Sequence, residues 1–181
     1  MDITLHTVSL SAAGLNDEHA FERFYGQYFI RLFRFCYALV HEKGAAEEIA
    51  NDVFLSIWKR RDRLSTIEKP EVYLYVSAKN HCLNHLRRHR RTATIDLDNL
   101  REDALQFQAD PESLLIRAET MNRVLAAIEG LPPKCKLIFQ LVKQEGLKYK
   151  EVARVLDISV KTVEAQLAIA VKKIGQALGC D

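Results

Sequence analysis

Four side chains near the start of one helix-forming segment, Lys161, Thr162, Ala165 and Gln166, are spaced to share a single exposed face. An ammonium, a hydroxyl, a methyl and a carboxamide on such a face can contact phosphates and base edges when the helix lies in a major groove. Ser159, just ahead, can accept a hydrogen bond from the free N–H groups of that helix and so cap it. The flanking pattern predicts how the face is held. Tyr149 to Leu156 reads as a short helix burying Val152, Ala153 and Leu156, and Asp157, Ile158 and Ser159 form a three-residue turn. From Val160 a second helix is expected to bury Val163, Leu167, Ala170, Val171 and Ile174. Ala153 supplies the small residue where the two helices cross, and Ile158 is an apolar plug in the turn. Asp157 stands where this turn usually has glycine, and aspartate tolerates the left-handed conformation at a cost of about 1 kcal/mol. The segment spells a helix-turn-helix; its competitor is an ordinary helical hairpin with the same apolar spacing.

A second polar set lies upstream. Tyr73, Ser77, Asn80, Asn84, Arg87, Arg88 and Arg91 recur at spacings of three and four, forming one stripe of a helix that starts at Pro70 and reaches about His89. Amides, hydroxyls and guanidinium groups in such a stripe suit a nucleic-acid surface, or equally a solvated helix face. Val72, Tyr75, Val76, Cys82, Leu83 and Leu86 form its core side, so Tyr75 is expected to pack.

These two sets are positioned by helices throughout. Glycine and proline are scarce among the 181 residues, 48% are hydrophobic, and the apolar period stays near 3.6, so the predicted class is all-α. Residues 1–15 read as a loose tail. An N-terminal helical bundle follows over 16–91. Its first helix, Asp17 to Val40, buries Phe21, Phe24, Tyr28, Leu32, Phe35 and Leu39 and carries surplus apolar side chains at Phe29, Phe33 and Tyr37. Its second, from Gly44 to about Arg61, turns Ile49, Val53, Ile57 and Trp58 inward and Glu47, Glu48, Asn51 and Asp52 outward. A polar loop from Leu64 to Lys69 precedes the third. Residues 92–109 are polar, acidic and non-periodic, which predicts a flexible linker. A four-helix domain over 110–181 completes the chain. Asp110 and Pro111 start its first helix, Leu131-Pro132-Pro133 breaks it, and Gly146 ends the next.

Charge is segregated rather than large. The net charge is +2, yet Lys79, Arg87, Arg88, Arg90 and Arg91 contain no acid among them, and Asp96, Asp98, Glu102, Asp103, Asp110 and Glu112 follow. A protein gripping DNA alone through many phosphates usually has a larger basic excess, so a partner is expected to supply affinity. Cys36, Cys82, Cys135 and Cys180 are widely separated, which suits a reducing cytoplasm. The longest unbroken apolar run, Phe35 to Val40, is too short to span a bilayer. His81, His85 and His89 recur every four residues, but the surrounding arginines oppose a cation, so no metal is expected. No phosphate loop or Ser/His/Asp order is present, and no catalytic residue or cofactor is predicted.

The order of these parts resembles extracytoplasmic-function sigma factors, the small two-domain members of the bacterial sigma-70 family. The matching segments are Glu47-Glu48-Ile49-Ala50-Asn51-Asp52-Val53-Phe54-Leu55-Ser56-Ile57-Trp58, Tyr73-Leu74-Tyr75 through Asn80 to Leu86-Arg87-Arg88, and Leu131-Pro132-Pro133. Val160-Lys161-Thr162-Val163-Glu164 resembles the branch abundant in Bacteroidetes. The resemblance implies region 2 over 16–91 and region 4 over 110–181. It implies docking on the β′ clamp helices of core RNA polymerase through Glu48, Asn51, Asp52 and Leu55. It implies capture of the melted −10 element by the loop carrying Ser65, Thr66 and Lys69 and by Asn80, Asn84, Arg87 and Arg88. The helix-turn-helix, through Ser159, Lys161, Thr162, Ala165 and Gln166, would read the −35 element as duplex and neighbour the β flap. Relatives often carry basic residues where Glu164 and Gln166 stand, which implies a different −35 sequence. The family further implies a monomer when active and an anti-sigma partner, often membrane-anchored. From the residues alone, a free-standing helix-turn-helix regulator with a sensing or dimerising bundle, or a protein-interaction module, also stays open.

Overall fold

The structure, a computed structural model, describes residues 17–61, 69–89, 95–105 and 118–179, the last starting with backbone only at 118–121. Among these residues every regular element is helical: α1 (Glu18–Val40), α2 (Lys43–Lys59), α3 (Pro70–His89), a 3₁₀ turn (Glu102–Leu105), α4 (Ala118–Glu129), α5 (Pro133–Lys143), α6 (Tyr149–Leu156) and α7 (Val160–Leu178). The expected tail over 1–15, the loop residues Ser65 and Thr66, and the helix start at Asp110 lie outside the described residues.

The first three helices pack around aromatic side chains. Phe24, Tyr28, Phe54 and Tyr75 are fully buried. Phe24 meets Phe54 edge-on at 5.8 Å, and Phe35 meets Tyr75 the same way at 5.1 Å, the offset geometry that aromatic quadrupoles favour. Tyr75 is therefore core, as its position in the pattern predicts. α1 ends where His41 turns left-handed (φ 67°) and returns its backbone N–H to the Tyr37 carbonyl. Pro70 opens α3 as expected, because its missing N–H costs nothing in a first helical turn.

In the second half, α5 supplies the central buried stripe, Leu137, Ile138 and Leu141, against which α6 and α7 lean. Gly146 leaves α5 at φ +66°. One expected core residue is not buried: Val171 is 62% exposed. The stripe that does pack is Val163, Leu167 and Ala170 with half-buried Ile174, and Val171 sits one residue, about 100° of helix rotation, away from it.

The largest difference from the sequence reading is the segment predicted to be a flexible linker. Residues 95–105 pack between the two helical groups. Leu100, Ala104 and Leu105 are buried. The Arg101 N–H donates to the Ala38 carbonyl at 3.3 Å, Gln140 donates through Nε2 to the Leu105 carbonyl at 3.1 Å, and Lys134 pairs with Asp98 at 3.1 Å. Tyr37, expected as surplus exposed surface on α1, is covered: its hydroxyl donates to Asp103 at 3.0 Å, and Arg101 lies over its ring. Hydrogen bonds from Arg101 above all, joined by that from Tyr37, hold the Asp103 carboxyl down at about 2. Its folded value lies below the unfolded one, so this contact's stabilisation is complete above 3.8 and is lost as pH falls through about 2. The apolar period fails here because only three side chains, grouped in a single 3₁₀ turn and its approach, are buried; that is too few to register as a helix or strand.

Leu105→Ala should therefore destabilise the whole protein by about 2–5 kcal/mol in urea unfolding, the range for a buried leucine. A loss under about 0.5 kcal/mol, the range of a surface position, would return this segment to a tether.

Candidate nucleic-acid interface

The helix-turn-helix forms as its residues dictate. Val152, Ala153, Val155 and Leu156 are buried on α6, and Glu151 bends back to accept the Lys148 backbone N–H at 2.7 Å, fixing the helix start. Asp157 ends α6 in the left-handed region (φ 59°, ψ 47°). The Ile158 N–H then returns to the Ala153 carbonyl at 3.0 Å, and the Ile158 side chain packs half-buried against the core. Ser159 Oγ accepts the Thr162 N–H at 3.0 Å and lies 2.9 Å from Thr162 Oγ1, so it caps α7 as expected. Lys161 and Ala165 are exposed, Thr162 and Gln166 half-exposed. Behind this face Cys135 Sγ donates to the Gln166 carbonyl at 3.2 Å, tying α7 to α5. These four side chains thus lie on the first two turns of a capped, back-supported helix.

On α3 the stripe also keeps its polar end free. Asn80, Asn84, Arg87 and Arg88 are exposed, while Ser77 and Tyr73 are half-buried. Lys69, just before the helix, is held by an ion pair with Glu151 of α6. A cleft of about 430 Å³ opens beside this stripe, lined by Lys79, Leu83, Arg87, Asp96, Lys134 and Asp157 among others. His85 and His89 lie with ring centroids 4.5 Å apart, their planes tilted by 33°. Glu42 lies 3.9 Å from His85, a carboxylate that the spacing along α3 could not reveal.

A third surface lies on α2. Glu48 and Asp52 are exposed, Asn51 is half-buried and accepts the Tyr25 hydroxyl at 3.2 Å, and Leu55 is 53% exposed. An exposed leucine beside carboxylates is the mixture found at polar protein interfaces. These sets stay on separate elements: α7 for the duplex-type face, α3 for the stripe and α2 for the acidic face.

The sequence reading missed the groups that join the halves. Glu145, between α5 and Gly146, is only 7% exposed and meets Arg31 of α1 at 3.5 Å and the Tyr75 hydroxyl of α3. Burial pushes its carboxyl up; Arg31 and Tyr75 oppose that rise. The same burial, with Glu145 alongside, pushes the Tyr75 hydroxyl up. A polar residue next to a helix-ending glycine reads as solvent-facing, and only a partner 114 positions away buries it.

Comparison with known proteins places these surfaces in a frame. Residues 24–92 match sigma-70 region 2, and residues 121–174 match sigma-70 region 4. The chain is 28% identical to the RNA polymerase sigma-H factor of Pseudomonas aeruginosa over 171 residues, covering 90% of this chain and 88% of that one. It is 26% identical to the sigma-E factor of Escherichia coli, an extracytoplasmic-function member, over 131 residues, 68% of this chain and 69% of that one. A similar fold is that of the sigma factor RpoE from Bartonella quintana, solved in complex with the anti-sigma factor NepR. Its TM-score is 0.52 at 15% identity, covering 89% of this chain and 98% of that one.

The left-handed turn gives a prediction. The Asp157 side chain is 90% exposed and 3.9 Å from Lys79, so its ion pair contributes little, and backbone strain dominates. Asp157→Gly should raise stability by up to about 1 kcal/mol and Asp157→Val should lower it by at least as much in thermal unfolding. Destabilisation by glycine would show that the carboxylate, not the backbone, sets the turn.

Proposed function

Because the chain belongs to the sigma-70 family, in its extracytoplasmic-function group, we propose a division of labour among its three surfaces. The protein is a sigma factor and not an enzyme: it acts in transcription initiation, with core RNA polymerase and promoter DNA as its partners. Among the described residues no helix is long and apolar enough to cross a membrane. Its working place is the cytoplasm, where polymerase and promoters are.

Residues 16–91 act as region 2. The acidic face of α2, Glu48, Asn51, Asp52 and Leu55, docks on the β′ clamp helices. Asn80, Asn84, Arg87 and Arg88, with Ser65, Thr66 and Lys69 of the preceding loop, take the unstacked bases and backbone of the −10 element. Residues 110–181 act as region 4, near the β flap, with Ser159, Lys161, Thr162, Ala165 and Gln166 on the −35 duplex. The observation that carries this reading is the capped α7 start, whose polar side chains are exposed together while its rear is fixed to α5. The chain acts as a monomer on two unlike elements. Leu55 and Ile30, exposed large apolar side chains, support a protein partner on the N-terminal helices. An anti-sigma factor, with or without a membrane anchor, is that partner's second identity, in line with the complex in which the similar fold was solved.

Run-off transcription with core polymerase tests the whole reading: addition of the chain should start transcripts at a specific promoter. Two substitutions then separate its halves. Asp52→Arg should weaken binding to core while circular dichroism stays unchanged, because repulsion replaces a carboxylate at a polar interface. Gln166→Ala should leave core binding intact and cost about 1–3 kcal/mol of −35 discrimination, whereas Lys161→Ala should weaken all upstream sequences alike. An unaltered −35 preference in a promoter library after both changes would remove α7 as the reader. For the regulatory partner, core polymerase and the inhibitor should exclude each other in a pull-down. A stable ternary complex with α2 still on β′ would refute the shared surface.

A further inference from the structure

The cleft beside α3 is where the end of α1, the middle of α3, residues 95–98 and the turn before α7 meet. Its volume, about 430 Å³, lies in the range of small-molecule sites. Leu83, Ile95, Leu97 and Ile158 line it while only half-buried, so each keeps apolar surface that an occupant could remove from water. Among the described residues no aromatic ring lines it, so it offers a nucleobase no stacking platform. The charged groups of the cleft are sorted by depth. The side chains of Lys79 and Lys134 are 14% and 25% exposed, whereas those of their partners Asp157 and Asp98 are 90% and 78% exposed. The third acid, Asp96, is exposed and accepts the Asp98 backbone N–H at 2.9 Å. Arg87 adds a third base, also exposed. The two lysines therefore lie inward and the carboxylates outward, which makes the inner wall positive.

We propose that this cleft is a binding site for a small aliphatic anion, a molecule with an unbranched hydrocarbon body and a carboxylate or phosphate head. The body would cover the half-buried aliphatic side chains. The head would take the ammonium groups of Lys79 and Lys134 in place of Asp157 and Asp98. That exchange costs little, because ion pairs with well-exposed carboxylates contribute little and the displaced acids return to water. The anion gains charge-assisted hydrogen bonds, which are stronger than neutral ones. A neutral lipid would forgo them, and a cation would meet Lys79, Lys134 and Arg87. The walls come from both helical groups, so the occupant would touch α3 and the turn before α7 at once. The site is defined by shape and charge, and does not depend on α3 binding DNA.

Isothermal titration calorimetry of the full chain with decanoate and with decyl phosphate, each below its micelle concentration, tests this. One molecule should bind per chain, and shortening the body to octanoate should weaken binding about tenfold. Acetate, inorganic phosphate and decyltrimethylammonium should not bind. At ten times the Kd, decanoate should raise the thermal midpoint by about 3–5 °C. The tighter head identifies the source: decanoate points to a free fatty acid, decyl phosphate to a lipid phosphate. Lys79→Gln with Lys134→Gln should weaken binding of both decyl anions at least about fivefold. Leu83→Glu, which sets a carboxylate on the apolar wall, should abolish it. These positions are partly exposed, and matched circular dichroism checks that each variant folds. No saturable binding of either decyl anion, equal binding of decyltrimethylammonium, several molecules per chain, or folded variants that bind like the wild type would overturn the site. If decanoate binds as expected yet the chain cannot direct core polymerase, the site stands and the promoter reading fails. If initiation works and neither decyl anion binds, the site alone fails.

Discussion

The arrangement of the molecule depends on burying Leu100, Ala104 and Leu105 between α1 and α5. Each of these apolar side chains would cost free energy if left in water, and neither helical group alone buries them. Their 3₁₀ turn lies against the end of α1 on one side and α5 on the other, with Arg101, Gln140 and Lys134 satisfying the polar groups around it. That turn bridges α1 and α5. α6 then falls on α3, and Glu145 falls beside Arg31. The polar contacts between the halves follow from this apolar one.

This order of causes explains why the ion pairs share one sense. The net charge is small because acids and bases are nearly balanced, but they are divided between faces. In the ion pairs described across the junction the base comes from the N-terminal helices and the acid from the C-terminal segment, although Glu71 of α3 also lies near Glu145. A surface shaped to take phosphates will also take carboxylates, since both offer paired anionic oxygens. The polar face at the start of α7 takes no part in these ion pairs and stays exposed at Lys161 and Ala165.

The three candidate surfaces differ in how they are supported. α7 is fixed at its start by Ser159 and from behind by the Cys135 contact to the Gln166 carbonyl, so its first turns are held in place. The α3 stripe is backed by the aromatic core through Tyr75 and Leu74, both buried. The α2 face stands on Val53, Phe54 and Ile57. Rigid helices with apolar undersides present the polar groups in each case. The cleft beside α3 differs: its walls come from both halves, so it changes whenever the halves move.

Local chemistry by itself determined the helices, the turn and the cap. The 3.6-residue period marks a helix without knowing its neighbours, proline and glycine mark its ends, and Ser159 needs only the next three residues to accept its N–H. Asp157 was legible as a left-handed position for the same reason. The polar stripe of α3 and the acidic face of α2 were equally legible, because a helix face is a matter of spacing. Only the tertiary structure decided which apolar residues lacked a neighbour, as with Val171, and which polar residues gained one, as with Glu145. Only packing turned residues 95–105 from an acidic tether into a seated turn, since three buried side chains carry no period. These outcomes depend on contacts between residues far apart in the chain, which neither spacing nor composition encodes. Spacing therefore specified which side chains share each helix face, and the packing of one half on the other specified which residues meet at the junction.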